Sequence, residues 1–173
     1  MRTALATLRA IGALQTTVGG VSSRETLTPL GARLAELPLA PRLGKILLYG
    51  VALCCIEPVL TIAVGMSYRS PFVLPLSARD GERAAAARAS FAAGINSDHA
   101  AFLHAYDGYA AARAGGGHWR WCAERFLSCT VLEQVRVMRD QVKDQLVRVG
   151  VLEPERGFAV ASAANVNSGR MEV

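Results

Sequence analysis

The sequence predicts a mainly α-helical protein in two packed units, a helix, β-hairpin, helix module followed by a helical bundle, with a boundary near Pro38 to Pro41. Three observations point there. Apolar side chains recur at helical spacing along most of the chain, only residues 15–26 read as strands, and Ser, Thr, Gly and Pro fall where helices start and stop.

Residues 3–13 form the first expected helix, with Leu5, Leu8 and Ile11 on one stripe and Gly12 near its end. In residues 15–26, Val18 and Val21 flank Gly19-Gly20, which favours a β-hairpin closed by a glycine turn. Ser22 and Glu25 also match a capping-box spacing, but no helical period follows them before Pro29. Thr28-Pro29 is a helix start, because threonine can cap exposed amides and proline at the first helical position forfeits no internal donor. Leu30, Leu34 and Leu37 then share a face, and Pro38 and Pro41 stop the helix and impose an extended link before Arg42.

Residues 46–66 are nearly all apolar and about as long as a bilayer-spanning helix. Glu57 and Pro58 sit at the centre, where a carboxylate is costly in hydrocarbon and proline removes a backbone donor. Two short buried helices separated at that point are expected instead. The first carries Leu43, Ile46, Leu47, Gly50, Val51 and Cys54, and the second ends before Ser70-Pro71. Residues 79–93 form an alanine- and arginine-rich helix on which Arg79, Arg83 and Arg88 give a solvated face.

Asn96, Ser97 and Asp98 supply capping oxygens for a helix with Phe102, Leu103, Tyr106, Tyr109 and Ala110 on its apolar side, broken by Gly115, Gly116 and Gly117. A short aromatic element with Trp119, Trp121, Phe126 and Leu127 follows. The last helix buries Leu132, Val135, Met138, Val142, Leu146 and Val149, with Thr130 and Glu133 as its capping box, and Gly150 ends it. Arg136 with Asp140 and Asp144 with Arg148 are opposite charges four residues apart on its solvated face. From Glu153 onward the chain is small and polar with no period, so a disordered tail is expected.

The net charge of +5 is carried almost wholly by arginine, since Lys45 and Lys143 are the only lysines. A basic surface favours polyanionic partners such as RNA, although GC-biased coding produces the same Arg, Ala, Gly and Val excess. Cys54, Cys55, Cys122 and Cys129 contain no C-x-x-C pair and no disulfide framework, so reduced, mostly buried thiols are expected. His118 and Cys122 can share a helical face, but two ligands without a third make no metal site. The first residues lack the pattern of a secretory signal, which places the chain inside the cell, cytoplasmic or nuclear. No paired carboxylates or nucleophile-base pair converge, so no independent catalytic site is expected.

Several blocks recur in an order that identifies a family. Leu27, Thr28, Leu30 and Gly31 form an L-T-x-L-G block, and Pro38, Pro41, Arg42, Leu43 and Lys45 a P-x-x-P-R-L-x-K link. P-V-L-T-I-A follows at 58–63, S-Y-R-S-P-F at 67–72, and S-D-H at Ser97, Asp98 and His99. With residues 122–127 and the 132–149 helix, this order resembles the helicase-associated region of DEAH/RHA-type ATP-dependent RNA helicases.

The resemblance implies a partial winged helix over 1–40, a ratchet-like helical bundle over 41–152, and a flexible tail over 153–173. N-x-N-S-G-R-M-E-V at 165–173 would approach a missing OB-fold domain. Glu57 stands where the family usually has aspartate, which implies a weaker local helix cap. The chain has no G-x-x-x-x-G-K-[ST] loop, no D-E-A-H run and no S-A-T motif. The resemblance assigns these, with ATP and Mg, to two upstream RecA-like motor domains. The chain is then a non-catalytic fragment of a nucleoside-triphosphate hydrolase and carries no cofactor itself.

The implied role is to close a nucleic-acid channel and hold single-stranded RNA, or DNA, by sequence-independent phosphate contacts. The candidate contacts are Ser97, Asp98 and His99, where free helix amides and a hydroxyl can bond a phosphate, although Ser97 or Asp98 can equally cap the helix while His99 packs. Arg69 comes next, with anchoring of a loop to a neighbouring domain as its other role. Arg42 and Lys45 are third, with an interdomain salt bridge as the competing role. Tyr106, Trp119 and Trp121 can stack on bases or belong to the core. Beside this reading stand a free-standing helical protein-interaction module and a small membrane-associated protein built around 46–66.

Overall fold

The computed structural model describes residues 2–19, 22–92, 94–95, 97–153 and 164–169. Helix α1 (Arg2–Ala10) is stopped by Gly12, whose φ of +81° is a left-handed turn that glycine adopts without a Cβ clash. Strands β1 (Leu14–Gly19) and β2 (Ser22–Leu27) pair antiparallel, Leu14 opposite Leu27 and Gly19 opposite Ser22. The hairpin reading therefore holds, and Gly20 and Val21 of its turn lie outside the described residues. Arg9 Nε reaches Glu25 Oε1 at 2.9 Å and ties α1 to β2.

Helix α2 (Pro29–Ala35) starts as its sequence dictates. Thr28 Oγ1 accepts from the Gly31 amide at 3.0 Å and donates to the Gly12 carbonyl at 2.6 Å, so one hydroxyl caps the helix and closes the module. A Cβ at Gly31 would stand 2.0 Å from the Ala13 carbonyl oxygen, so only glycine allows this approach. Pro41 does not belong to the extended link; it is the first residue of α3 (Pro41–Ala52), the position where proline costs no hydrogen bond.

The apolar run folds into two helices, α3 and α4 (Ile56–Ser67), separated at 53–55, where Cys54 adopts a left-handed φ of +55°. No described helix is long and apolar enough to cross a membrane. After α4 come α5 (Ala78–Ala92), α6 (Asp98–Ala114), α7 (His118–Glu124) and α8 (Cys129–Arg148). Helix α4 is the centre of the bundle, with Ile56, Val59, Leu60, Ala63 and Val64 buried and α3, α6 and α8 packed around it. Tyr109, Leu132, Val135 and Leu146 complete the core.

Three local expectations change. The capping box at Thr130 does not form: Ser128 caps α8 by accepting from the Val131 amide at 3.4 Å, Thr130 lies inside the helix, and Glu133 turns to other partners. Arg136 pairs with Asp140 at 3.0 Å, whereas Asp144 and Arg148 form no ion pair with each other. Residues 164–169 are not structureless but form a turn and a short 3-10 segment against the α3–α4 connection; 154–163 and 170–173 lie outside the described residues. The sequence also left unread a bridge between Phe72 and Leu127, flanked by Val73 N to Phe126 O and Ser128 N to Pro71 O, both 2.8 Å.

Beneath α6 lies a polar cluster. The fully buried Tyr109 donates its hydroxyl to Glu133, which also accepts from Arg136 at 2.8 Å and faces Arg113 at 3.3 Å. Arg136 first, then Tyr109, hold the Glu133 carboxyl at about 2, below its ordinary 4.5. Burial, then Glu133, pushes the Tyr109 hydroxyl up. A depressed carboxylate stabilises the fold above its unfolded-state pKa and loses that contribution as pH falls through the folded value. Because Glu133 is one-third exposed, solvent screens part of the effect. Glu133→Gln should therefore lose about 1 kcal/mol at pH 7, with the gap to wild type closing as pH falls from about 5 to about 2. Urea titrations at pH 7 and pH 3 check this, and a gap that widens in acid would refute it.

Candidate nucleic-acid interface

Ser97, outside the first turn of α6, keeps an extended backbone, and its Oγ accepts from the Ala100 amide at 3.3 Å. It is the cap of this helix. Asn96, the other capping candidate, lies outside the described residues. As the first two helical residues, Asp98 and His99 have amides with no intrahelical acceptor, and both side chains are exposed.

Asp98 is not alone there. Arg88, on the facing helix α5, places Nη2 2.8 Å from Asp98 Oδ1 and its guanidinium carbon 5.0 Å from the centre of the Phe72 ring. Phe72 in turn packs on Phe91 at 6.2 Å, and Phe91 on Trp121 at 5.9 Å. An arginine assigned to a solvated face is thus held over an aromatic platform at the start of α6. Sequence spacing on α5 alone could not find it, because its partners come from the α4–α5 loop and from α6.

Two shallow clefts meet at this pair. One, of about 290 Å³, has Met66, Tyr68, Ser70, Phe72, His99 and Phe102 in its wall; the other, of about 640 Å³, runs between α5 and α6 past Ala89, Ile95 and Ser97. Arg88 and Asp98 line both. The structure therefore brings Ser97, Asp98 and His99 together and adds Arg88. Arg69 is exposed, sits in the chain between Tyr68 and Ser70 of the first cleft's wall without lining it, and makes no hydrogen bond or ion pair among the described residues.

Arg42 and Lys45 lie on α3 and line neither cleft. Arg42 is exposed. Lys45 donates from Nζ to the Ile11 carbonyl at 2.8 Å, just past the end of α1, where a helix carries its partial negative charge. That contact is a hydrogen bond to backbone, and Lys45 forms no salt bridge among the described residues. Among the aromatic candidates, Tyr106 is buried under Arg139, with the guanidinium carbon 4.7 Å from its ring, and Trp121 is half-buried; Trp119 is exposed.

The four cysteines are free, three of them buried. Burial first, then Cys129, pushes the Cys122 thiol up to about 12, so it is no nucleophile at neutral pH. Among the described residues no three His, Cys, Asp or Glu side chains converge as metal ligands. The arrangement can bind an anion through arginine and amides.

Comparison with known proteins finds two family domains in this chain. The helicase-associated domain (HA2), winged-helix, matches residues 4–39, and the helicase-associated domain (HA2), ratchet-like, matches residues 40–108. The chain is 43% identical over 153 residues to the DExH-box ATP-dependent RNA helicase DExH1 of Arabidopsis thaliana, covering 88% of this chain and 15% of that protein. It is 38% identical over 158 residues to the human ATP-dependent DNA/RNA helicase DHX36, covering 90% of this chain and 15% of the relative. It is also 34% identical over 145 residues to DExH3 of Arabidopsis thaliana, covering 84% and 12%. The chain thus spans only a small part of these relatives.

If Lys45 is a strut between α1 and α3, Lys45→Met, which keeps the stem and removes the donor, should lower stability by about 1 kcal/mol in denaturant unfolding. The salt dependence of RNA binding should not change. A drop of about one in that slope would make Lys45 a phosphate contact instead.

Proposed function

Because the chain belongs to the helicase-associated family, winged-helix and ratchet-like domains in that order, as found in DExH-box RNA helicases, we propose that it lines the single-stranded nucleic-acid channel of such an enzyme and grips RNA during translocation. The observation that carries this reading is the start of α6, where two open helix amides, His99 and Arg88 face a pair of clefts. A phosphate there would meet donors that need no base identity, as a motor advancing over any sequence requires.

Asp98 sets the strength of that grip. Its carboxylate occupies Arg88 and repels phosphate, so binding exchanges one anion for another at the same guanidinium. The hold is then weak enough to be released at each step. Arg69 is the second phosphate contact, since it is exposed beside the cleft and unpaired among the described residues. Arg42, exposed on α3 and lining neither cleft, is a further, separate contact.

The partners proposed are RecA-like motor domains and an OB-fold domain of a longer polypeptide, in a cytoplasmic or nuclear setting. ATP and magnesium belong to those motor domains, and this chain contributes no catalytic residue. Supporting a docked state, Ile46 and Tyr49 of α3 and Leu53 just after it are exposed, and the loop before α5 leaves Leu74 and Leu76 bare.

Binding of a labelled oligoribonucleotide, measured by fluorescence anisotropy across a salt series, tests the grip. Arg88→Ala should weaken binding about three- to tenfold and lower the salt slope by about one. Asp98→Asn should tighten binding, because it releases Arg88 and removes a charge. Wild-type affinity in both variants would remove the start of α6 from the interface.

A further inference from the structure

Helix α4 begins without a cap of its own. Cys55 precedes it and offers no side-chain hydrogen bond, although the Ile56 and Glu57 amides point into partly buried surroundings. At the other side of the same turn, the carbonyls of Leu53 and Cys54 end α3 with no helical donor left to serve them. All four groups are satisfied by one distant stretch. Ile56 N donates to Ala164 O at 3.2 Å and Glu57 N to Asn165 Oδ1 at 2.8 Å; Asn167 N donates to Cys54 O at 2.9 Å and Asn167 Nδ2 to Leu53 O at 2.8 Å.

We infer that residues 164–169 act as a long-range cap and latch, which serves the end of α3 and the start of α4 together and fixes where α4 begins. Asparagine suits the task because its amide both donates and accepts. Asn165 uses its oxygen on a helix start, Asn167 uses its nitrogen on a helix end, and the segment is rigidified internally by Ser168, whose Oγ donates to Asn165 Oδ1 at 3.1 Å and whose N donates to Asn165 O at 2.9 Å.

The latch acts on the residue that joins α4 to α8. Glu57 is held through its amide by Asn165 and through its carboxylate by Arg139 and by Lys143, the latter at 3.0 Å. Ser168 and Gly169 also form part of the wall of a cleft of about 350 Å³ that contains Glu57, Tyr106 and Arg139. Docking of the segment therefore sets the α4–α8 junction, and its release would free the left-handed turn at Cys54 and the first turn of α4.

Amide hydrogen exchange by NMR on the full chain tests the latch. Asn165→Ala should speed exchange at Glu57 about fivefold or more, whereas Asn165→Asp, which keeps the acceptor, should retain protection. Asn167→Ala should lower the melting temperature, while Val166→Ala, at a position 70% exposed, should leave both readings unchanged. Unaltered Glu57 exchange in Asn165→Ala, equal loss of protection in Asn165→Asp, or an unshifted melting temperature in Asn167→Ala would each overturn it.

Discussion

Helix α4 can be the buried centre of this bundle only if the polar groups at its start find partners, and Glu57 is where that condition is met. The helix is apolar almost throughout, so its burial favours folding wherever the start is placed, whereas unpaired amides and a lone carboxylate disfavour most placements. The carboxylate reaches Arg139 and Lys143 on α8, and the amide reaches Asn165. Directional bonds thus select one register among many that hydrophobic burial would accept. The same residue argues against a bilayer span, because a carboxylate in hydrocarbon would have none of these partners.

From that fixed helix the rest is positioned outward. Helix α6 packs on α4 through Phe102 and Tyr106 and is held from below by the Tyr109–Glu133 bond to α8. Its first turn therefore projects at a defined place, and the Phe72–Leu127 bridge holds the α4–α5 loop beside it. The amino-terminal module is attached by polar struts at separate points: Lys45 to Ile11, Gln145 to the Glu36 carbonyl at 2.9 Å, and Arg33 to the Val149 carbonyl. Apolar packing joins the units as well, since Leu37 is buried in the same cluster as Leu43 and Leu47.

Helix positions were legible in the sequence because their signals are local. Thr28-Pro29, Ser97 and Gly115 act within a turn of their own position, and the hairpin follows from its glycines and the lack of helical period. Glu57 was legible as an obstacle to a membrane span but not as a bridge, since Arg139 lies 82 residues away. The weaker cap inferred from its replacing aspartate does not describe its position, because Glu57 sits inside the first turn and leaves capping to Asn165. Thr130 and Glu133 matched a box by spacing, but Ser128 lay two residues earlier and Tyr109 and Arg136 competed for the glutamate. A local pattern loses when tertiary partners offer more bonds to the same group.

The candidate interface shows the same limit in its charges. Counting arginines along α5 gives a basic, solvated face, yet Arg83 and Arg88 differ in what they meet. Arg83 pairs with Asp80 at 3.2 Å within its own helix and lies over Phe126, while Arg88 crosses to Asp98 and lies over Phe72. An arginine on an aromatic face keeps its charge while losing side-chain freedom, so less entropy remains to be lost when an anion arrives. The local carboxylate offsets that advantage by occupying the same donors. Net charge therefore measures attraction at a distance, whereas in the proposed grip the strength of contact at α6 depends on how Arg88 divides its hydrogen bonds between Asp98 and an incoming phosphate.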